Sequence, residues 1–188
     1  FFFEKFIKIS RVSDIAILDD KKNKKTELSI QFFPEGGNFL VGIRNKIGVK
    51  AVTADGLGAN LSGYVVNREK EKVAEFTTEH AGIGVFPLMP QAKQAYVAIV
   101  TLADGSTKSF NLPKVTESGY TISANTVEDK INIRVFGSAD LVDGKELSVV
   151  AQANGIVYAS FTSKLDKPVL TASLEKKSFP TGIIQLTL

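Results

Sequence analysis

The chain has 188 residues, 44% hydrophobic and 23% charged, with a net charge of +3; this is a globular composition and excludes a disordered or collagen-like polymer. There is no Cys and a single His, which excludes disulfides, thiol nucleophiles, Cys-zinc and iron–sulfur sites and multi-His metal centres. No run approaches the ~20 consecutive apolar residues that cross a bilayer, and so mild a positive charge does not indicate nucleic acid.

The chain opens on Phe1-Phe2-Phe3-Glu4-Lys5-Phe6-Ile7-Lys8-Ile9, apolar but broken by charges. It is too short and too charged for a signal-peptide core. With no initiator Met, the chain reads as an internal piece of a longer protein or a trimmed one, and residues 1–9, lying ahead of the first predicted strand, fit the last strand of a preceding domain. Residues 19–27 are almost all charged or polar. They read as a solvated loop, because no aromatic residues are interleaved for base stacking.

From there on, Val, Ile, Thr and Phe dominate the apolar runs, which suits half-buried strands. A first strand is predicted over 26–33. Further strands are predicted near 47–53, 60–66, 72–77, 82–88, 95–102 and 107–112. A second set is predicted near 131–136, 146–153, 156–163, 168–174 and 182–188. Turn pairs punctuate them: Gly36-Gly37, Asp55-Gly56, Asp104-Gly105, Asp143-Gly144 and Asn154-Gly155. The last predicts a type I′ hairpin, since both residues tolerate positive φ. The strand over 95–102 is apolar on both faces, so it belongs inside its sheet. Gly82 and Gly84, within an apolar run, predict a bulge or a close backbone approach.

The two strand sets repeat one pattern when Lys46-Ile47-Gly48-Val49-Lys50 is laid over Lys130-Ile131-Asn132-Ile133-Arg134. Leu112-Pro113 ends the first set, and Pro suits a boundary because it cannot donate to a sheet ladder. The expected division is 1–27 as a strand remnant and charged linker, 28–115 as a first sandwich and 116–188 as a second. The second lacks a counterpart to 107–112, so its last strand is expected to offer an open edge. Such an edge invites a protein partner by strand addition, with residues 1–9 of a neighbouring molecule as one occupant. The first core is expected to hold Ile47, Val49, Val65, Phe76, Phe86, Val97 and Ile99. The second is expected to hold Ile131, Ile133, Val135, Leu147, Val149, Val157, Phe161, Leu170, Ile184 and Leu186.

Candidate chemistry is sparse. His80 follows Glu79, but no Gly-x-Ser-x-Gly or His-Glu-x-x-His accompanies it, and it reads as a turn histidine. Asp19-Asp20 and the Asp140/Asp143 pair carry carboxylates suited to calcium, but neither lies in a twelve-residue calcium loop. They read as turn caps. Glu69, Lys70, Glu71 and Lys72 read as a solvated strand edge. Phe1, Phe2, Phe3 and Phe6 are read as paired on a sheet. A sugar-binding platform is the alternative, weakened by the absence of Trp.

The stretch Phe32-Phe33-Pro34-Glu35-Gly36-Gly37-Asn38-Phe39-Leu40-Val41-Gly42-Ile43-Arg44-Asn45-Lys46-Ile47 resembles the "F-x-PEGG-x-L-x-x-G-x-x-N-x-I" motif of macroglobulin-like domains. These occur in bacterial alpha-2-macroglobulin-like proteins and in outer-membrane proteins linked to TonB-dependent receptors. Gly82-Ile83-Gly84-Val85-Phe86, Pro90, Tyr96 and Phe179-Pro180-Thr181-Gly182 extend the resemblance. It implies an all-β fold of two immunoglobulin-like (macroglobulin-like) sandwiches in tandem. The family's thioester needs a Cys that this chain lacks. The implied role is a non-catalytic scaffold of the extracytoplasmic cell envelope, whose partners are neighbouring domains of the parent protein. No catalytic, cofactor-binding or metal residues, no cofactor, no nucleic acid and no membrane insertion are expected in this segment. A surface module binding glycan or peptide is the alternative.

Overall fold

The computed structural model describes residues 28–102 and 104–188. The expectations for residues 1–27, including Asp19, Asp20 and the Phe-rich start, lie outside the described residues. Among those described, short 3-10 turns are the only helical elements.

The first sandwich contains β1 (Leu28–Pro34), β2 (Phe39–Leu40), β3 (Asn45–Thr53), β4 (Leu61–Val66), β5 (Lys72–Thr78), β6 (Ile83–Leu88), β7 (Val97–Thr101) and β8 (Thr107–Asn111). A two-residue strand, β9 (Val115–Thr116), leads into the second. That sandwich contains β10 (Tyr120–Val127), β11 (Lys130–Gly137), β12 (Glu146–Ala153), β13 (Ile156–Lys164), β14 (Val169–Glu175) and β15 (Gln185–Thr187).

Strand order shows the repeat. The first sandwich pairs a β1-β3-β6 sheet with a β5-β4-β7-β8 sheet, and the second pairs β10-β11-β14 with β13-β12-β15. In both, the chain makes two strands of one sheet, two of the other, then one more of the first sheet and one more of the second, to which the first sandwich adds β8. That antiparallel crossover order is immunoglobulin-like. β7 lies inside its sheet, as its two apolar faces predict. β15 is paired with β12 alone among the described strands, whereas its counterpart β7 lies between β4 and β8.

Period-two alternation builds the cores. On β3, Ile47, Val49 and Ala51 all face inward and are at most 1% exposed. Phe32, Phe76 and Phe86 close the first core, with Phe76 stacked on Phe86 at 5.3 Å and Phe32 edge-on to both. Gly84 sits where a Cβ would collide with the Thr77 carbonyl, so it serves the close approach its sequence context predicts. Ile131, Ile133, Val135 and Val149 are buried in the second core. Leu147, Phe161, Leu170, Ile184 and Leu186 pack against it, only partly buried.

Three expectations need correction. On β7 it is Ala98 and Val100 that are fully buried, while Val97 and Ile99 face the other side and are half-buried. Both faces of that strand are apolar, so its parity cannot be read from pattern. Val157 is 56% exposed rather than in the core. The Asn154-Gly155 turn has the predicted positive φ values of 51° and 78°. However, the register shifts between Ala151 and Gln152, which takes Val157 out of the face expected for it. Finally, the strand that opens the second sandwich, β10, has no counterpart among the predicted strands.

Candidate functional site

Side chains and backbone of the two sandwiches meet in a polar cluster at the junction between them. β1 ends at Pro34 and the chain turns sharply, the Gly37 N–H donating to the Pro34 carbonyl at 3.0 Å. Gly36 has φ +78°, a left-handed conformation that glycine adopts without penalty. This turn abuts β10. The Thr121 hydroxyl donates to the Glu35 carbonyl at 2.9 Å, and Asn38 Nδ2 donates to the Tyr120 carbonyl at 2.7 Å. Glu35 Oε1 accepts the Ala124 N–H at 3.1 Å. Lys46 Nζ donates to the Ala124 carbonyl at 2.8 Å and pairs with Glu35 Oε1 at 3.3 Å. Glu35 Oε2 is enclosed and meets no hydrogen-bond donor among the described residues.

The connection itself is also held. β9 runs parallel to β2, with Phe39 opposite Val115 and Leu40 opposite Thr116. The Val41 N–H donates to the Thr116 carbonyl at 3.0 Å. The residues joining the sandwiches are therefore strand-paired to the first sandwich rather than slack. Sequence reading finds the 34–37 turn but not what it touches, because its partners are mostly backbone atoms more than 80 residues away.

The other singled-out residues do not converge. His80 is exposed in the 3-10 turn His80–Gly82. Asp140 accepts from the Ser118 hydroxyl, and Asp143 accepts from the Lys145 N–H at 3.0 Å and pairs with its Nζ at 2.8 Å. These hydrogen bonds hold both carboxyls below the ordinary range, Ser118 being the main cause for Asp140 and Lys145 for Asp143. Glu71 closes a turn with Asn67, Glu69 accepts from Gln94, and Lys72 pairs with Glu75. Among the described residues, no three His, Asp or Glu side chains are grouped to hold a metal. No helix among them is long and apolar enough to cross a membrane. A groove of 440 Å³ lies beside Arg44, Glu71, Met89 and Tyr96, and one of 680 Å³ beside Tyr64, Glu75 and Thr101.

No protein-family model and no curated protein matches the sequence. Solved structures do. The chain is similar to the BSP domain of a biofilm-associated protein, with 16% identity over 76% of this chain and 24% of that one, at a TM-score of 0.34. It is similar to the native conformation of E. coli alpha-2-macroglobulin, with 14% identity over 79% of this chain and 12% of that one, at 0.32. Salmonella alpha-2-macroglobulin reacted with methylamine is alike at 13% identity, with the same coverages and a TM-score of 0.31. The chain spans a quarter or less of each of these proteins. The strand order within the sheets makes the fold immunoglobulin-like.

Proposed function

We propose that this chain is a non-catalytic scaffold and interaction segment of a large cell-envelope protein, divided into sandwiches at 28–115 and 116–188. Its task is to hold neighbouring domains of the parent, a TonB-dependent receptor or transport domain among them, at a set distance and angle. The observation that supports this reading is the junction. A strand-paired connection and a turn hydrogen-bonded to β10 fix one sandwich against the other, where a flexible tether would need neither. The envelope setting draws on the resemblance of residues 32–47 to macroglobulin-like domains. Residual dipolar couplings measured on both sandwiches test the scaffold reading. A single alignment tensor is expected, and two different tensors would sink it.

A second reading concerns the partner. Its support is the edge of β15, which has β12 on one side and no described strand on the other. Leu186, which pairs with Ala151, is only partly buried, whereas Ala98 of the counterpart β7 is fully buried. The fitting occupant is an extended strand with alternate apolar residues, laid antiparallel as β8 lies on β7. A peptide copying residues 107–112 is expected to shift the amide resonances of Gln185, Leu186 and Thr187. No shift there at saturating peptide would remove this reading and leave the scaffold one intact.

A further inference from the structure

Among the described strands, β10 is the outer strand of its sheet, paired with β11 alone. An outer strand ordinarily leaves a row of N–H and C=O groups free to pair with any extended chain. Along Tyr120, Ile122 and Ala124 the first sandwich covers that row, with hydrogen bonds at the Tyr120 carbonyl and at both backbone groups of Ala124. Asn38 takes the Tyr120 carbonyl. Gly36 lies flat against Ile122, so that a Cβ on it would stand 2.5 Å from both the Ile122 nitrogen and oxygen. Glu35 takes the Ala124 N–H, and Lys46 takes the Ala124 carbonyl. Positions two apart are those whose backbone groups point to the same side of a strand.

We infer that Glu35 and Lys46 act as a substitute neighbouring strand for β10. The carboxylate supplies the acceptor that a strand's C=O would give to the Ala124 N–H. The ammonium supplies the donor that a strand's N–H would give to the Ala124 C=O. Their mutual contact at 3.3 Å holds the two at the spacing the single residue requires. Gly36 has no side chain, and this lets the turn approach closely enough for the pair to reach. Protecting the β10 edge and fixing the angle between the sandwiches are therefore one contact. The edge becomes free for strand pairing only when the sandwiches part. The proposal deepens the scaffold reading and rests on it.

The test is residue-resolved amide exchange together with dipolar couplings on the wild type, Glu35→Ala, Glu35→Gln and Lys46→Met. In Glu35→Ala the Ala124 N–H is expected to exchange at least about tenfold faster, having lost a hydrogen bond to a charged acceptor. The sandwiches are expected to lose their common alignment tensor. Exchange at Ile133 and Val135, in the second core, is expected to stay as in the wild type. Glu35→Gln keeps an oxygen acceptor and is expected to keep Ala124 protected. Lys46→Met keeps the aliphatic stem and is expected to loosen the alignment. An Ala124 amide that stays slow in Glu35→Ala overturns the proposal. So does acceleration across the whole second sandwich together, which would make Glu35 a general contributor to folding. If the wild type already shows two tensors, the scaffold reading fails as well. If the wild type and Glu35→Ala share one tensor, only this proposal does.

Discussion

The Tyr96 hydroxyl accepts the backbone N–H of Gln91 at 3.0 Å, closing the corner between β6 and β7. This is the tyrosine-corner arrangement of immunoglobulin-like sandwiches, a tyrosine ahead of the strand reaching back to upstream backbone. Tyr96 is 4% exposed, its ring meets Phe39 at 5.7 Å, and its carbonyl accepts the Leu112 N–H at 3.0 Å. One residue thus ties the corner to β2 and to the end of β8. In the second sandwich the corresponding position, two before the inward residue of β15, is Ile184, which has no hydroxyl to give.

Tyr96→Phe is expected to destabilise the protein by about 1–3 kcal/mol, because it leaves the Gln91 N–H without its acceptor. Urea unfolding should show a lower midpoint with an unchanged slope. An unaltered midpoint would show that the corner bond is replaced by water at no cost.

Two adjacent glycines allow a matched comparison. Gly36 and Gly37 both have positive φ, +78° and +86°, but only Gly36 faces β10, and Gly37 faces open space. Alanine at either position is expected to cost about 1–2 kcal/mol in left-handed backbone strain. Gly36→Ala is expected, in addition, to push the turn off Ile122 and separate the alignment of the two sandwiches. Gly37→Ala should leave the alignment intact. Equal effects of the two on alignment would mean that the close approach at Gly36 is not what sets the angle.

The sequence made strands legible wherever one face was clearly apolar, as with Ile47, Val49 and Ala51, or Ile131, Ile133 and Val135. It also located the Asp104-Gly105 and Asn154-Gly155 turns, because each needs residues tolerant of its backbone. It could not show parity on β7, where Val97 and Ile99 are as apolar as Ala98 and Val100. It could not show the bulge at Ala151/Gln152, which depends on pairing with β13. β10 was hidden because its second half, Asn125 to Val127, is exposed and breaks the alternation. The junction was hidden for a different reason. Glu35, Asn38 and Lys46 address backbone atoms, and backbone atoms leave no mark on the sequence of the strand that offers them.

Burial on β6 alternates sharply enough to be tested on neighbours. Phe86 is 1% exposed between Phe32 and Phe76, whereas Val85 is 62% exposed. Phe86→Ala removes both ring contacts and leaves a cavity, and is expected to cost about 3–5 kcal/mol. Val85→Ala is expected to stay within about 0.5 kcal/mol of the wild type. Similar losses at both sites in denaturant unfolding would contradict the assigned inward face of β6.

Asp104, Asp140 and Asp143 each titrate below the ordinary value of 3.8, and each is exposed at a turn. The main causes are the Ser106 hydroxyl for Asp104, the Ser118 hydroxyl for Asp140 and the Lys145 side chain for Asp143. A carboxyl with a depressed folded value binds its proton less readily folded than unfolded. The stability it contributes is therefore complete above 3.8 and is lost as pH falls through the lower folded value. Lys145 is shifted the other way, upward from 10.5, chiefly by Asp143. Its contribution is complete below 10.5 and is lost as pH rises through the higher folded value. Between those two limits the Asp143–Lys145 turn should be insensitive to pH. Carbon-detected NMR of the carboxyls checks this directly. Lys145→Ala is expected to move the Asp143 titration up towards 3.8, and Ser118→Ala is expected to do the same for Asp140 while leaving Asp143 unmoved. Titrations that stay put in both variants would mean that solvent already outcompetes these partners at the turns.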